Sequence, residues 1–413
     1  MIKHAVFRHV ARRATWGPAE QRGVTYAKIT TMKAIHLIVA VVVDAAERVL
    51  CVAPGEGAHH AVVGEWALPA IALGEAPTSP EAALLPFIKV RFGVSVVPTG
   101  EVLLCGEATG APEVRLQAIF CRPQSEALPE TPTLRWVAPD LLETLSLPPA
   151  EQALIPLLKA RFFARCCTAQ RFGRPATFLA TCASTNDEAL RQAESNAPEG
   201  TLVVSDLQTA GRGRLGREWL SEPGQGLLFS LLARPNLPPE HAVTLPLVAG
   251  LAVTQVLRHL SYAEAGLKWP NDVLLNERKV CGVLCEAQTS AHGMEGIIIG
   301  VGLNIGAVPA AVAHRAAGLC ESTSQRLDRL VLLAAICSHF EALYVRWLAG
   351  GLAALKADLA AADCKCGKTI TVKPGAEALT GISRGIREDG ALLLETAAGL
   401  TPIHCGEIVQ WAD

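Results

Sequence analysis

The run TAGRGRLGREW, from Thr209 to Trp219, places three glycines and three arginines within eleven residues. Glycine lets a backbone bend sharply and lets a ligand approach it closely. The planar guanidinium of arginine binds phosphate or carboxylate with two parallel hydrogen bonds. Almost no side chain in this run can enter a hydrophobic core, so the run predicts an anion-binding loop. The competing interpretation is a solvated basic turn.

The same glycines satisfy the pattern Gly-x-Gly-x-x-Gly of dinucleotide-binding folds. That fold requires a strand before the glycines and a helix directly after them, because the helix N-terminus holds the pyrophosphate. The upstream residues TLVVSDLQ are typical of a strand. The downstream residues contain Pro223, Gly224 and Gly226 and then a β-type apolar run. A helix is not predicted there, which argues against a dinucleotide-binding domain.

The composition of the chain allows large hydrophobic cores. Half of the 413 residues are hydrophobic and only 18% are charged, and this length predicts two or three domains. The formal net charge of −2 argues against a general nucleic-acid binder, because such proteins usually carry a basic domain or stripe. The run HLIVAVVVDAA is interrupted by Asp44 and is too short to cross a membrane. We therefore expect no membrane span.

Thirteen cysteines are scattered along the chain, without the spacing of a disulfide framework. This usage is typical of reduced thiols, so we expect a cytoplasmic protein. The pairs Cys281/Cys285 and Cys364/Cys366 lack a second pair at zinc-site spacing. We predict no protein-held metal site.

The N-terminal part of the chain divides into a basic tail and a strand-rich segment. Residues 1–31 are expected to form a disordered tail or, if synthesis begins at Met32, to lie outside the protein. The β-branched runs IHLIVAVVVD and RVLCVAP are joined by a short polar turn, which predicts a hairpin. SPEAALLPFIKVRFG predicts a helix closed by Gly93, further strands follow, and a second helix ends near residue 163. These elements predict a mixed α+β domain over residues 32–163.

The stretch WALPAIALGE, followed by a helix, resembles the entry to a Nudix hydrolase domain. The matching positions are Trp66, Leu68, Pro69, Gly74 and Glu75. Ala70 and Ile71 replace two glycines of that family's pattern, and PFIKVRFG stands where the family carries metal-binding carboxylates. Hard cations need such oxygens, so the resemblance implies a Nudix-like scaffold over 32–163 without hydrolase activity.

Three further motifs favour a binding site over a simple basic turn. In STNDEAL, residues 184–186 can cap a helix that begins near Asp187, and such small polar residues also suit a ureido or amide group. In LKWPNDVLLNERKV, Lys268 precedes Trp269, so its ammonium is expected to be half-buried and to need an anionic partner. The strand IIIGVGLNIG is expected to leave Asn304 exposed at its end.

Taken in order, these motifs resemble the catalytic domain of biotin–protein ligases. The set comprises Ser-Thr-Asn, Gln-x-x-Gly-Arg-Gly-Arg-x-Gly-Arg-x-Trp, Lys-Trp-Pro-Asn-Asp, Gly-x-x-x-Glu and Gly-x-Gly-x-Asn. The resemblance implies a catalytic domain over 164–361, with a mixed sheet and helices similar to class II synthetases. The terminal strands, including ALLLETAAGLTPIHCGEI, resemble that family's small SH3-like β-barrel, over 362–413. The fold class is therefore predicted to be α+β.

The resemblance also implies a reaction. Such ligases join the carboxylate of biotin to the α-phosphate of ATP, which brings magnesium held mainly by its phosphates and water. They then pass biotin from biotinyl-5'-AMP to a lysine of a carrier such as the biotin carboxyl carrier protein of acetyl-CoA carboxylase. The implied biotin-binding residues are Ser184, Thr185, Asn186, Gln208, Arg212, Gly213, Arg214 and Lys268. The implied nucleotide-binding residues are Arg214, Arg217, Trp219 and Asn304.

Within this set the resemblance assigns catalysis to Lys268 and Arg214. Lys268 is implied to lie between the two substrate anions and to stabilise the crowded phosphorus in the transition state. Asp272 and Glu286 are weaker candidates, since a hairpin turn and a buried hydrogen bond explain them equally well.

Two other functions differ in class or substrate. A lipoate or octanoate ligase or transferase on the related fold would need an Arg-Arg-x-Ser-Gly-Gly-Gly loop, which is absent. Some family members are biotin-sensing repressors with a helix-turn-helix ahead of the ligase domain, but here a strand-rich unit takes that position. We therefore expect no DNA binding, and a homodimer is a possible assembly.

Overall fold

The fold is described from a computed structural model, which covers residues 34–53, 66–73, 79–108, 113–125, 129–290, 293–321, 327–375 and 377–412. The expected tail over 1–31 and the positions Gly74 and Glu75 of the Nudix-like motif lie outside the described residues. The chain divides into two compact units between residues 159 and 160.

The described residues of the first unit form six strands and several helices, the last of which continues into the second unit. Its strands are β1 (Ala34–Val42), β2 (Val49–Val52), β3 (Ala70–Leu73), β4 (Val96–Ala108), β5 (Glu113–Pro123) and β6 (Leu134–Val137). Four of them form a mixed sheet in the order β3-β1-β5-β4, in which only β1 and β5 are parallel. Its helices are α1 (Pro80–Phe92), α2 (Pro149–Gln152) and α3 (Ile155–Cys166), which crosses the division between the units.

The first unit is built around β1, which is buried on both faces. Alternate side chains of a strand point to opposite faces, so Val39 and Val41 enter one core cluster and Ile38 and Ala40 the other. Helix α1 covers the second of these clusters. It begins after the N-cap Ser79 and ends at Gly93, whose φ of 70° is favoured by glycine, as the sequence predicts.

The predicted hairpin between β1 and β2 is only partly correct. The turn is closed by Arg48, which donates from its backbone N and its Nε to the carboxylate of Asp44. Beyond a single bridge between Val43 and Val49, however, β2 pairs with β6 and not with β1. Pairing with a partner about 80 residues away lets β2 bury all four of its residues, which local sequence does not reveal. The predicted second helix forms as two pieces, α2 and α3.

The second unit begins with a seven-stranded mixed sheet. Its strands are β7 (Ala176–Leu179), β8 (Leu202–Ser205), β9 (Gly226–Ala233), β10 (Gly266–Lys268), β11 (Asp272–Leu275), β12 (Arg278–Ser290) and β13 (Gly293–Asn304). They lie in the order β10-β11-β12-β13-β9-β8-β7, and only β7 and β8 are parallel. The loop 209–219 is followed by β9 and not by a long helix, which confirms that this is not a dinucleotide-binding fold.

Helices cover both faces of this sheet. The helices are α4 (Thr185–Glu194), α5 (Pro239–Ala242), α6 (Leu245–His259), α7 (Arg329–Gly350) and α8 (Lys356–Ala362). The paired helices α6 and α7 pack on one face and form the largest core with the inward side chains of β9, β12 and β13. On the other face α4 buries Ala189 and Ala193 against Val203, Leu232 and Ile298.

The chain ends in a five-stranded antiparallel sheet. Its strands are β14 (Thr369–Lys373), β15 (Leu379–Ile386), β16 (Leu392–Thr396), β17 (Gly399–Ile403) and β18 (Glu407–Ala412), in the order β17-β16-β15-β14-β18. Its inward residues, including Ile370 and Leu392, join the same core as the seven-stranded sheet. This shared core fixes β18 next to β10, where the candidate site lies.

One helical stretch corrects the expectation that no apolar run is long enough to span a membrane. Residues 329–362 pass such a test by length and composition among the described residues. Slightly more than half of the most apolar window, 56%, is buried inside the structure. Core helices of this kind pass the same test, so the finding is weak evidence for a membrane span.

Candidate active site

A cavity of about 370 Å³ opens between the loop 209–219, the seven-stranded sheet and β18. The structure brings all of the predicted site residues together at its wall: Ser184, Thr185, Asn186, Gln208, Arg212, Gly213, Arg214, Arg217, Trp219, Lys268 and Asn304. Six cationic and four carboxylate side chains line it. The wall is therefore net positive, which favours anionic ligands.

Part of the cavity wall is a network of neutral hydrogen-bonding groups. Gln208 Oε1 accepts from the backbone N of Thr185 at 2.7 Å and from its Oγ1 at 3.0 Å. Thr185 Oγ1 also lies 2.8 Å from the hydroxyl of Ser230, a fully buried residue that sequence analysis missed. Because Oε1 of Gln208 is committed to Thr185, the amide NH₂ group of Gln208 remains available as a donor.

Asn186 extends this network toward β12 and β13. Its Oδ1 accepts from Ser230 Oγ at 2.6 Å, and its Nδ2 donates to the carboxylate of Glu286. A side chain at Gly300 would approach Asn186 Oδ1 to 2.2 Å, so glycine is required there for the asparagine to fit. The motifs Ser-Thr-Asn and Gly-x-Gly-x-Asn are thus complementary surfaces of one site.

The helix after Ser184 starts earlier than predicted. α4 begins at Thr185, two residues before Asp187, and Ser184 occupies the N-cap position with extended backbone. Ser184 therefore holds the predicted cap position, but its side chain makes no capping hydrogen bond. Ser184, Thr185 and Asn186 are largely buried, and their polar groups line the cavity.

Two of the three arginines of the loop are held by carboxylates. Arg212 forms two hydrogen bonds with Asp187, at 2.7 and 2.9 Å, and a third contact with Glu286 at 3.2 Å. Arg217 pairs with Glu407 of β18 through both terminal nitrogens. The hydrogen bond from Arg217 lowers the pKa of Glu407, which is therefore ionised near neutral pH. Both guanidinium groups present their charge next to the cavity.

Arg214 differs from the other two arginines because both of its described acceptors are neutral. Its Nη1 donates to Asn271 Oδ1 at 3.1 Å and approaches the carbonyl O of Gly406 at 3.4 Å. No carboxylate neutralises it within the described contacts. The charge of Arg214 is consequently available to an incoming anion.

Lys268 is more deeply buried than the predicted half-buried state, with only 6% of its surface exposed. The sequence predicts that it needs an anionic partner, and the structure places Asp272 Oδ2 3.9 Å from Lys268 Nζ. Asp272 Oδ1 lies much closer, at 2.6 Å, to the ammonium of Lys279. Burial lowers the pKa of Lys268, and the carboxylates of Asp272 and Glu407 oppose this shift. A buried ammonium with a distant partner is a strong site for a substrate anion.

The ring of Trp219 packs against two glycines of β12 and β13. A side chain at Gly302 would meet its indole ring at 2.5 Å, and one at Gly282 would meet it at 3.0 Å. Lys279 Nζ lies 5.5 Å from the ring centroid. The glycines of β12 and β13 thus create the slot for this ring, which offers a flat aromatic surface to a planar ligand.

Asn304 corrects another expectation, since it is buried and not exposed. Only 7% of its surface is accessible, and its backbone pairs with Gly226 of β9. The residue nevertheless lines the cavity. Pairing between β13 and β9, which are far apart in sequence, covers the strand end that the motif alone leaves open.

Several lining residues carried no recognised signal in the sequence. They are Lys279, Arg315, Glu407 and Trp411. Glu407 and Trp411 belong to β18, about 190 residues from the loop that they face. Arg315 is an exposed guanidinium on the segment after β13. Only the tertiary fold brings these residues to the motifs.

The side chains at the site bear on whether the protein itself can hold a metal ion. In the part of the chain that the structure describes, no group of three or more His, Cys, Asp or Glu side chains could hold one. The carboxylates of Asp272 and Glu407 are paired with Lys279 and Arg217. The donor set therefore does not fit a cage for a divalent cation made by side chains alone.

Comparisons with known proteins agree with this geometry. Residues 179–304 match the model of the biotin/lipoate A/B protein ligase family, and residues 365–411 match that of the biotin protein ligase C-terminal domain. The chain is 34% identical over 229 residues to the bifunctional ligase/repressor BirA of Bacillus subtilis. The matched region covers 54% of this chain and 70% of that protein. It is 32% identical over 241 residues to the biotin–[acetyl-CoA-carboxylase] ligase of Paracoccus denitrificans, covering 56% of this chain and 98% of the relative.

This chain belongs to the biotin protein ligase family. A solved structure supports the assignment: the biotin protein ligase from Aquifex aeolicus in complex with biotin and ATP has 32% sequence identity and a TM-score of 0.50. The aligned region covers 58% of this chain and 98% of the Aquifex aeolicus chain. The second unit is thus a biotin protein ligase fold, a mixed α/β domain followed by an all-antiparallel sheet.

Proposed function

We propose that this chain attaches biotin, at the expense of ATP, to a specific lysine of a biotin carboxyl carrier protein such as that of acetyl-CoA carboxylase. In the first step the biotin carboxylate attacks the α-phosphorus of ATP, an O–P bond forms, and pyrophosphate leaves. In the second step the carrier lysine amine attacks the acyl carbon of biotinyl-5'-AMP, an amide forms, and AMP leaves. The observation that supports this reaction best is a single cavity whose wall combines buried neutral polar groups, six cationic side chains and the indole of Trp219.

The neutral polar groups of the cavity suit the ureido ring of biotin. The amide of Gln208, the hydroxyls of Ser184 and Thr185 and the amide of Asn186 offer both donors and acceptors, and a ureido group needs both. Their mutual hydrogen bonds hold these groups in place before biotin enters. This preorganisation reduces the entropy lost on binding.

The cationic side chains of the cavity suit the two anions that must react. A carboxylate and a triphosphate repel each other, so the site must supply positive charge where they meet. Lys268 would lie between them, and Arg212, Gly213 and Arg214 would cover the biotin tail and the α-phosphate. Arg217 would contact the nucleotide, Trp219 would stack on adenine, and Asn304 would contact the nucleotide or its ribose. Magnesium would enter with ATP and neutralise its phosphates, while the side chains described above bind and orient the anions.

Biotin-dependent exchange of pyrophosphate into ATP tests the first step. We expect exchange with biotin and none with lipoate, which also distinguishes this reaction from that of a lipoate or octanoate ligase. Transfer is then followed by mass spectrometry of a carrier domain, with its acceptor lysine replaced by arginine as the control. Exchange that depends on lipoate, or is absent with both acids, would contradict the proposal.

We further propose that the first unit is a Nudix-like scaffold without hydrolase activity, and that the C-terminal sheet is an SH3-like barrel. Trp66, Leu68 and Pro69 support the first assignment, and Glu81 is the single acidic residue of α1. One carboxylate cannot supply the ligands that a magnesium–diphosphate complex needs. Release of phosphate from nucleoside diphosphates by the full chain, with no loss on Lys268→Ala substitution, would contradict the first assignment.

The same reasoning extends to assembly and location. We propose a cytoplasmic enzyme that does not bind DNA or membranes, and a homodimer is the assembly to test. The domain boundaries 32–163, 164–361 and 362–413 belong to this proposal. Sedimentation with and without biotin and ATP tests the dimer, and a gel-shift assay with the promoter of the biotin genes tests DNA binding.

A further inference from the structure

The indole of Trp411 lies among cationic groups at the floor of the cavity. Lys268 Nζ is 4.8 Å from the ring centroid, and Lys365 Nζ is 4.0 Å from it. Both distances fall within the range of a cation–π interaction, which is strongest where the cation is desolvated. The Lys268 side chain is 8% exposed and that of Lys365 is fully buried, so both contacts are largely shielded from water.

We propose that Trp411 is a positioning residue, which holds the ammonium group of Lys268 in place for the reaction through the face of its indole ring. This inference rests on the proposed function, because it assigns to Trp411 a role in the charge that Lys268 presents. Trp411 belongs to β18, so the C-terminal sheet contributes directly to the placement of a reactive-site cation.

The chemistry of the contact explains why an aromatic ring suits this position. A close carboxylate would hold Lys268 by neutralising its charge and occupying its N–H donors. The indole face attracts the ammonium electrostatically but accepts no full proton and carries no net charge. Lys268 is therefore fixed while its charge remains available to the substrates. Its carboxylate partner Asp272 is consistent with this, since it is 3.9 Å away and is held more closely by Lys279.

Lys365 and its partner fix the indole itself. Lys365 Nζ forms an ion pair with Glu277, on the turn between β11 and β12, and lies over the same ring. On the opposite side, the backbone of Trp411 pairs with Ile370 of β14. The ring is thus attached to the seven-stranded sheet and to the C-terminal sheet at once. A side chain held from both sheets can define a position for Lys268 more closely than a flexible surface residue can.

The first test compares Trp411→Leu with Trp411→Phe in biotin-dependent pyrophosphate exchange. Leucine keeps an apolar side chain without a π face, and phenylalanine keeps a smaller π face. We expect Trp411→Leu to lower kcat about tenfold, with a smaller change in the KM for biotin, and Trp411→Phe to recover most of this loss. Gln410→Ala, at an exposed position of the same strand, is the matched control and should retain full activity. Equal losses in the leucine and phenylalanine variants would overturn the proposal.

A double-mutant cycle separates positioning from a general structural role. If Trp411 acts through Lys268, Trp411→Leu causes no further loss in a Lys268→Ala background. A full tenfold loss in that background would show that Trp411 acts elsewhere. Thermal unfolding of each variant checks the fold, and Trp411→Phe keeps the comparison usable if Trp411→Leu does not fold.

A second readout needs neither substrate nor activity. In protein labelled with ¹³C at the lysine ε-carbon, the resonance of Lys268 should lie upfield through the ring current of Trp411, and Lys268→Ala identifies it. Trp411→Leu should return it to the position of exposed lysines. If the unaltered chain showed this shift but no biotin-dependent exchange, the proposed function would fail while the contact stood. A resonance unaffected by Trp411→Leu would refute the positioning role by itself.

Discussion

At the scale of single residues, the availability of charge distinguishes the cations of the site. Arg212 and Arg217 are committed to carboxylates, and a substrate anion must exchange with those partners. Lys268 has a long ion pair and an aromatic contact, so it can meet an anion without first losing a close carboxylate. This difference sets Lys268 and Arg214 apart from Arg212 and Arg217, and the buried Lys268 is the one that we expect to contribute most directly to the transition state.

Replacement of Lys268 tests that ranking. We expect Lys268→Ala to lower the rate of biotin-dependent pyrophosphate exchange on the order of 10²-fold or more, because it removes a preorganised charge at the reacting groups. Lys373→Ala, at the exposed C-terminal end of β14, is the control and should exchange normally. A nearly normal exchange rate in Lys268→Ala would contradict the assignment.

A single methyl group at Gly302 should disturb Trp219, which we assign to nucleotide binding. The added Cβ would lie 2.5 Å from the ring of Trp219, so the ring must move. We expect Gly302→Ala to raise the KM for ATP about tenfold or more and to change the KM for biotin little, measured by initial-rate exchange. Gly375→Ala is the control, because a side chain there would meet no atom within 4 Å. Equal effects on both substrates would count against a role of Trp219 in nucleotide binding.

Single-residue predictions from sequence succeeded where chemistry is local and failed where burial decides. Next to Trp269, Lys268 is expected to be shielded from water, and it is buried. Asn304 was expected to be exposed, but β9 pairs over it. Ser184 has the residue type of a cap, yet its side chain makes no capping bond. Sequence indicates what a side chain can do, whereas its neighbours across the sheet determine what it does.

At the scale of elements, the loop 209–219 is a narrow hairpin with an exposed tip. Gly213 N donates to the carbonyl of Arg217 at 2.7 Å, and Trp219 N donates to that of Gly211 at 2.9 Å. At the tip Leu215 adopts a φ of 57° and is 76% exposed. The described contacts hold the base of the loop and leave its tip without a core. Such a segment is suited to close over a reactive intermediate.

Closure of this loop predicts the behaviour of an Arg214 variant. Arg214 reaches Asn271 and the carbonyl of Gly406, so it connects the loop to both sheets. We expect Arg214→Gly to form adenylate at a reduced rate and to release it, because the intermediate is no longer shielded from water. Free biotinyl-AMP and biotin on unrelated lysines, detected by chromatography and mass spectrometry, are the measurements. Unchanged retention of the adenylate would rule out shielding by Arg214.

The element pattern was predictable because most elements carry local signals. Helix α1 has a capping serine and a closing glycine, and the hairpin of β11 and β12 follows directly from VLLNERKV. The partner of β2 was not predictable, since its four apolar residues fit any buried sheet position. Trp411 and Glu407 were not recognised for a related reason: β18 has no motif of its own and acquires its role by pairing with β14.

At the scale of the whole molecule, each of the two units has its own core and its own strands. The second unit contains every residue of the candidate site, including those contributed by the C-terminal sheet. Because β18 supplies a wall of the cavity, the ligase chemistry belongs to the seven-stranded and five-stranded sheets together. Among the described residues, those that line the cavity all belong to the second unit.

The stability of the first unit should depend on pH through Glu151. This carboxyl is 2% exposed and accepts a hydrogen bond from Leu68 N at 2.6 Å. Burial raises its pKa from 4.5 to about 8, more than the hydrogen bond lowers it. Between these two values the unfolded chain releases the proton and the folded chain keeps it. The folded state therefore loses stability as pH rises through this window, by roughly 1.4 kcal/mol per pH unit at most.

Replacement by the neutral isostere isolates this effect. Glu151→Gln keeps an acceptor for Leu68 N but does not titrate, so the unfolding temperature of the first unit should fall less between pH 5 and pH 8 than in the unaltered chain. Differential scanning calorimetry at both pH values measures the change, with the exposed Glu130→Gln as the control. Biotin-dependent exchange should be unchanged, since Glu151 is not among the described residues that line the cavity. An equally steep fall in Glu151→Gln would mean that another group carries the pH dependence.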